Sequence, residues 1–317
     1  MFYFPLSKSK GITPLLVVIS AALIVGQMIL TDGNPLVLWG NWATAGLLSA
    51  GLWYVMGRFH LGGVTEGKAL AITWPLMSIT LNFAYLYFDI TYPYFRGLVQ
   101  LFALMGIITL VLSIWQEEQS TLRTLCIGIL IGLSSTFFPH TILWIFMVPF
   151  IMFHMRATSS RNVFSILTGA LLGVWFDYCL LFFQGPEVAD AMLLQYLDIF
   201  QPNHYIQALH ALNLWQWLYL AIMALMVIVY SISAMLLGTG HSMRASASIM
   251  LLSTLSIAAV IFLCFDLLHT ALYICQLSLF LCIQLTIHQA NLRSSANEWW
   301  TLFIMVLCVV ISILPLL

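Results

Sequence analysis

Charge in this sequence is confined to short breaks between long apolar runs, and that spacing constrains the fold more than any motif does. Ten basic and eleven acidic side chains are spread over 317 residues. Soluble domains carry roughly a quarter charged residues. There is too little polar surface here to coat a water-soluble particle, so a soluble enzyme is excluded. Eleven tryptophans and twelve tyrosines suit a chain anchored at two membrane–water interfaces.

A helix needs about 20 apolar residues to cross the hydrocarbon. Runs between charged or turn-forming breaks give eleven candidates. They are Gly11–Leu30, Pro35–Met56, Lys68–Phe88, Gly97–Trp115, Thr124–Phe138, Thr141–Phe153, Val163–Phe183, Leu214–Leu236, Ala245–Phe265, Thr270–Ile287 and Trp299–Leu317. The first follows Lys8 and Lys10 but lacks a small-x-small cleavage site, so it reads as a retained helix. The two runs flanking Pro139-His140 are short, and either tilt or form a re-entrant hairpin buried in protein. With the N-terminus in the cytoplasm, every basic residue except Arg96 falls on the cytoplasmic side. Seven acids, including Asp32, Asp89 and Asp177, then fall outside or in the outer third of a span.

The expected fold is thus an all-α polytopic transmembrane bundle of about eleven spans, N-in and C-out. It forms one transmembrane domain over 1–317, with a core at 1–183 and C-terminal helices at 214–317. Between them, 184–213 carries Val188, Met192, Leu193, Tyr196, Leu197 and Phe200 at helical spacing, opposite Glu187, Asp190, Gln195 and Asp198. That pattern predicts an amphipathic helix along the outer interface. The six cysteines all lie inside apolar runs without ligand spacing, which predicts neither a disulfide framework nor a zinc site.

Candidate chemistry gathers on the outer side. The stretch Tyr85-Leu-Tyr-Phe-Asp89-Ile-Thr-Tyr92-Pro-Tyr94-Phe-Arg96 holds the lone outer base, a carboxylate and a run of aromatics. Arginine offers a planar fork for phosphate, and a carboxylate can act as general base toward a hydroxyl. The structural alternative is an aromatic belt with an Asp89–Arg96 ion pair. Asp32 is either a catalytic carboxylate or part of an ideal Asp-Gly-Asn-Pro turn. Asp177 lies about 21 Å into its span, where an acid defaults to a functional hypothesis. Hydrogen bonding to a tyrosine or a backbone group is the plain alternative. His140 follows Phe-Pro at the outer end of the fifth run, and Gly128-x-x-x-Gly132 and Gly169-x-x-x-Gly173 mark close helix packing. No metal site is assigned. A divalent ion is compatible with the outer acids, and no other cofactor is called for.

The order of these features resembles the membrane-embedded C-type glycosyltransferases over about residues 10–180. Asp32 and Asp89 stand where that superfamily carries acids in its first two outer loops. The stretch Arg123-Thr-Leu-Cys-Ile-Gly128-Ile-Leu-Ile-Gly132-Leu-Ser-Ser-Thr-Phe-Phe-Pro139 looks like its glycine-rich fifth span. The basic turn Arg156…Arg161 and Leu167-Thr-Gly169-Ala-Leu-Leu-Gly173 continue the likeness. The departures are a first outer loop of about five residues, no adjacent acid pair and no outer C-terminal domain, as in an inner-membrane family sharing the scaffold without the chemistry.

The resemblance implies transfer of a sugar from a polyprenyl-phosphate donor to an extracytoplasmic acceptor at the bacterial inner membrane. Asp32 or Asp89 would be the base, with Arg96, Tyr92, Tyr94, Asp177 and His140 binding substrate. Its partners would be membrane lipid and the lipid-linked sugar, with no nucleic acid. Two other expectations stand beside it: a non-catalytic membrane subunit of an envelope or secretion assembly, and a transporter of lipid or a small solute.

Overall fold

The computed structural model describes residues 12–30, 34–59, 61, 66–88, 94–117, 120–198, 212–237, 242–265 and 270–291. Among them the chain is all-helical. The elements are α1 (Ile12–Leu30), α2 (Pro35–Arg58), α3 (Glu66–Tyr87), α4 (Tyr94–Ser113), α5 (Thr121–Phe137), a 3₁₀ helix (Pro139–Met147), α6 (Val148–His154), α7 (Ser160–Phe182), α8 (Pro186–Asp198), α9 (Leu214–Leu237), α10 (Met243–Phe265) and α11 (Thr270–Asn291).

The expectation of about eleven spans is corrected. Among the described residues, three helices are long and apolar enough to cross a bilayer: Ser160–Phe182, Leu214–Leu236 and Met243–Cys264. These are α7, α9 and α10, and the chain is a membrane protein on their account. The N-in, C-out assignment sorted the basic residues over eleven spans and took the outer C-terminus from the odd count, so it falls with that count. Scarcity of charge proved a poor proxy for apolarity. Asn41, Thr44 and Ser49 in α2, and Thr73, Ser78, Thr80 and Asn82 in α3, are all buried inside the bundle. Part of this polarity is met by bonds within the bundle. The Asn41 amide donates to Asn82 Oδ1 at 2.8 Å, joining α2 to α3. The stretches Gly97–Ser113, Thr121–Phe137, Pro139–His154 and Tyr273–His288 are apolar but too short. The last candidate, Trp299–Leu317, lies outside the described residues.

Local chemistry sets the element ends. Asn34 caps α2 by accepting from Leu36 N at 3.0 Å, and Pro35 follows at the first helical position. Pro139 cannot continue α5, so the chain turns there into the 3₁₀ helix and then α6. These two return the chain to the end where α5 began, and Gln116 N donates to Met155 O at 2.9 Å to close that end. The pair therefore behaves as a hairpin strut that brings α7 up parallel to α5.

α11 is the central helix. Every side chain from 273 to 287 is buried, against α3, α9 and α10. A helix buried all round is ordinarily apolar all round, yet α11 holds Gln276, Ser278, Gln284 and Thr286. The Gln284 amide donates to Ser256 Oγ at 2.8 Å, and Ser253 donates back to its carbonyl oxygen at 3.3 Å. Polar pairing thus registers α11 against α10.

The tightest contact is between α5 and α7. A side chain on Gly128 would strike Ile166 O and lie 2.8 Å from Ala170 N. One on Gly132 would strike Ala170 O and lie 2.9 Å from Gly173 Cα. Gly169 and Gly173 are equally closed, against the backbone around Leu125 and Ile129. Four glycines let two backbones touch, as the paired Gly-x-x-x-Gly spacing anticipated.

We expect Gly132→Ala or Gly173→Ala to force these backbones apart and cost about 1–3 kcal/mol. Gly40→Ala, where a new Cβ meets nothing within 4 Å, should be neutral or stabilise α2 by up to about 1 kcal/mol. Thermal melting of the purified variants checks both. Equal melting points for all three would show that the close approach is not required.

Candidate functional site

The glycine seam runs on into polar residues. Gly128, Gly132 and Thr136 lie one turn apart on α5, and Gly169, Gly173 and Asp177 lie one turn apart on α7. Each pair is offset by 41 residues, which makes the helices parallel and stacks Thr136 against Asp177. The Thr136 hydroxyl donates to Asp177 Oδ2. Asp177 is only 9 % exposed, so its carboxylate is held in a helix seam rather than offered to solvent.

α8 closes over this end. Ala189 and Met192 are buried against the bundle. Tyr196, on the same face, shares a 2.8 Å hydrogen bond with Ser135, whose hydroxyl also donates to Gly132 O at 2.6 Å. Burial pushes the Tyr196 phenol above its ordinary value and the Asp177 charge adds to that rise, while the Ser135 bond opposes it. A second tether runs from the Tyr178 hydroxyl to Asp190 at 3.3 Å. Val188, Leu193 and Leu197 stay exposed on the flanks, with Glu187 and Asp190 exposed beyond them. A helix thus stands where the spacing placed one, bound to protein by Met192 and Tyr196, while the other described apolar residues of the expected face stay exposed. Phe200 lies outside the described residues.

Of the sequence-derived candidates, Asp32, Asp89 and Tyr92 lie outside the described residues. Tyr94 and Arg96 fall in the first turn of α4, their side chains outside the description. His140 is half-buried at the start of the 3₁₀ helix, with its ring 5.1 Å from that of Phe138. One residue further, Thr141 accepts a 2.8 Å hydrogen bond from the Gln100 amide, tying α4 to the same end. Asp177 is thus joined to Thr136, and α8 to Ser135. Sequence reasoning missed both hydroxyls. The signal was available: Thr136 continues the four-residue spacing of the α5 glycines as Asp177 continues that of α7. Among the described residues, no group of three or more His, Cys, Asp or Glu side chains is placed to hold a metal ion.

Asp177→Asn keeps an acceptor for Thr136 and should preserve stability, whereas Asp177→Ala should cost about 1 kcal/mol by leaving the half-buried hydroxyl without it. Tyr196→Phe should raise amide hydrogen exchange across 186–198 while leaving α5 unchanged. Unaltered exchange in α8 would mean that the Ser135 bond does not hold the helix. Compared with known proteins, the chain matches no family model, no curated protein and no solved structure.

Proposed function

We propose that this chain is a non-catalytic subunit of a bacterial inner-membrane assembly, in which α7 presents its free flank to a partner membrane protein. One observation carries the reading: α7 has two unlike sides. Its glycines and Asp177 are consumed by contact with α5. The rest is broad, aromatic and uncovered, with Phe164, Leu171, Trp175, Phe176 and Phe182 all more than half exposed. A catalytic acid must be reachable by substrate, and Asp177 is spent on a packing hydrogen bond. The parallel α5–α7 pair gives that flank a stiff backing.

Site-specific photocrosslinking tests this in intact membranes. Probes at Leu171 and Phe176 should capture a protein, whereas a probe at the exposed Val229 of α9 should capture lipid. Lipid capture alone from both α7 positions would overturn the proposal.

A second reading keeps sugar transfer from a polyprenyl-phosphate donor. It is favoured by the first turn of α4, with Arg96, beginning at the same end of the bundle as the Ser135–Thr136–Asp177–Tyr196 group. In that reading Arg96 clamps the phosphate, Asp32 or Asp89 is the base, and Tyr92, Tyr94 and His140 line the donor site. Polyprenyl phosphate should then bind Arg96→Gln roughly tenfold or more weakly than the wild type, the loss of one charge-assisted contact. Arg96→Lys, which keeps the charge without the fork, should fall between. Equal binding by all three proteins would remove sugar transfer from consideration.

A further inference from the structure

Helix direction brings five exposed arginines to one end of the bundle. α2 and α4 end there, α5, α7 and α10 begin there, and the α6 turn closes it. Arg58 lies in the last turn of α2, with Tyr54 beneath it, its Nη1 donating to the phenol at 2.7 Å. Arg244, in the first turn of α10, stands 5.6 Å over the Phe59 ring that follows α2. Arg156 stands 5.7 Å over Trp115 after α4. Arg161 is exposed in the first turn of α7. Arg123 is the one arginine here with a described ion pair, to Glu117 at 2.7 Å. The acids at this end among the described residues are Glu117 and Glu66, which opens α3 beside Lys68, so five arginines and one lysine against two acids leave four positive charges in excess.

Two further features point to what balances them. Arg156 adopts a left-handed backbone, φ 53°, at the turn after α6. That conformation costs roughly 1–2 kcal/mol in a residue with a side chain, and glycine would avoid it. The turn keeps an arginine regardless. Each arginine beyond α2 also has a large exposed apolar neighbour: Leu122 beside Arg123, Phe153 before Arg156, Phe164 after Arg161 and Met243 beside Arg244. Arg161 and Arg244 open helices that cross a bilayer, of 23 and 22 residues. At 1.5 Å per residue these are about 33–35 Å long, a little more than the hydrocarbon thickness. Their first turns therefore stand at headgroup depth, where apolar neighbours enter the acyl region and guanidinium forks meet phosphates.

We propose that this arginine end is a binding surface for anionic phospholipid headgroups, with Arg58, Arg156, Arg161 and Arg244 taking the lipid phosphates. Aromatic rings under three of them hold the guanidinium groups without neutralising them. The proposal is independent of what α7 binds.

The test uses the full chain in neutral detergent, with melting temperature as readout. Phosphatidylglycerol should raise it, on the order of 5 °C near saturation, and the shift should shrink as salt is raised. Phosphatidylcholine at the same concentration should give little. The triple variant Arg58→Gln, Arg156→Gln, Arg244→Gln should lose most of the shift. Arg156→Gly guards against misfolding of the triple variant: it relieves the left-handed turn, so it should melt no lower than wild type without lipid yet gain less from phosphatidylglycerol. An equal shift with phosphatidylcholine, or a full shift in both variants, would overturn the proposal. So would an equal shift from inorganic phosphate, which would mark a soluble-anion site instead.

Discussion

Contact between the α5 and α7 backbones is the constraint on which the rest of the arrangement depends. In a bilayer, apolar side chains gain nothing by leaving lipid for one another, so helices associate through close packing and shared hydrogen bonds. Glycine supplies the first by removing what would hold two backbones apart. Here four glycines do so in one register, with Ile166 O and Ala170 O lying where Cβ atoms would otherwise stand. The same register fixes Thr136 against Asp177 at the next turn. It also decides which side of α7 is turned away from the protein.

The interior follows a different logic from the seam. α11 is enclosed by other helices, so its glutamines and serines answer to protein neighbours and not to lipid. Gln284 is fully buried and bonded to two serines of α10. Cys282 Sγ lies 3.7 Å from Thr73 O of α3. Leaving such groups without partners costs about 1–3 kcal/mol each, so paired polar groups penalise any sliding of α11 more sharply than apolar packing would.

Much of this was legible in the residues. Confinement of charge to helix ends announced an all-helical membrane protein, and the paired Gly-x-x-x-Gly motifs announced close packing. The break at Pro139 announced two short segments that keep Arg123 and Arg156 together, and Gln116 N to Met155 O now joins those turns. The span count was not legible, because uncharged polar residues such as Asn41, Asn82 and Gln284 do not interrupt an apolar run on paper. They change what the helix wants around it. Asp177 was singled out for its depth, but its role depends on which atom faces it, and Thr136 belongs to a helix 41 positions away. The acid candidates Asp32 and Asp89 were found from their place between runs, a kind of evidence that carries no geometry.

The 3₁₀ helix has a consequence for length. A 3₁₀ helix climbs about 2.0 Å per residue and an α-helix about 1.5 Å. The nine residues of Pro139–Met147 and the seven of Val148–His154 together climb about 28 Å. As a single α-helix they would climb about 24 Å, short of the roughly 25 Å covered by the 17 residues of α5. The overwound stretch thus lets sixteen residues cover at least the height that the seventeen of α5 ascend, and α7 starts near the level where α5 began. Levelness is what aligns glycine with glycine. A single α-turn gained or lost between Pro139 and Met147 would leave every residue of α7 in place along its own helix, yet present them to α5 at the wrong height.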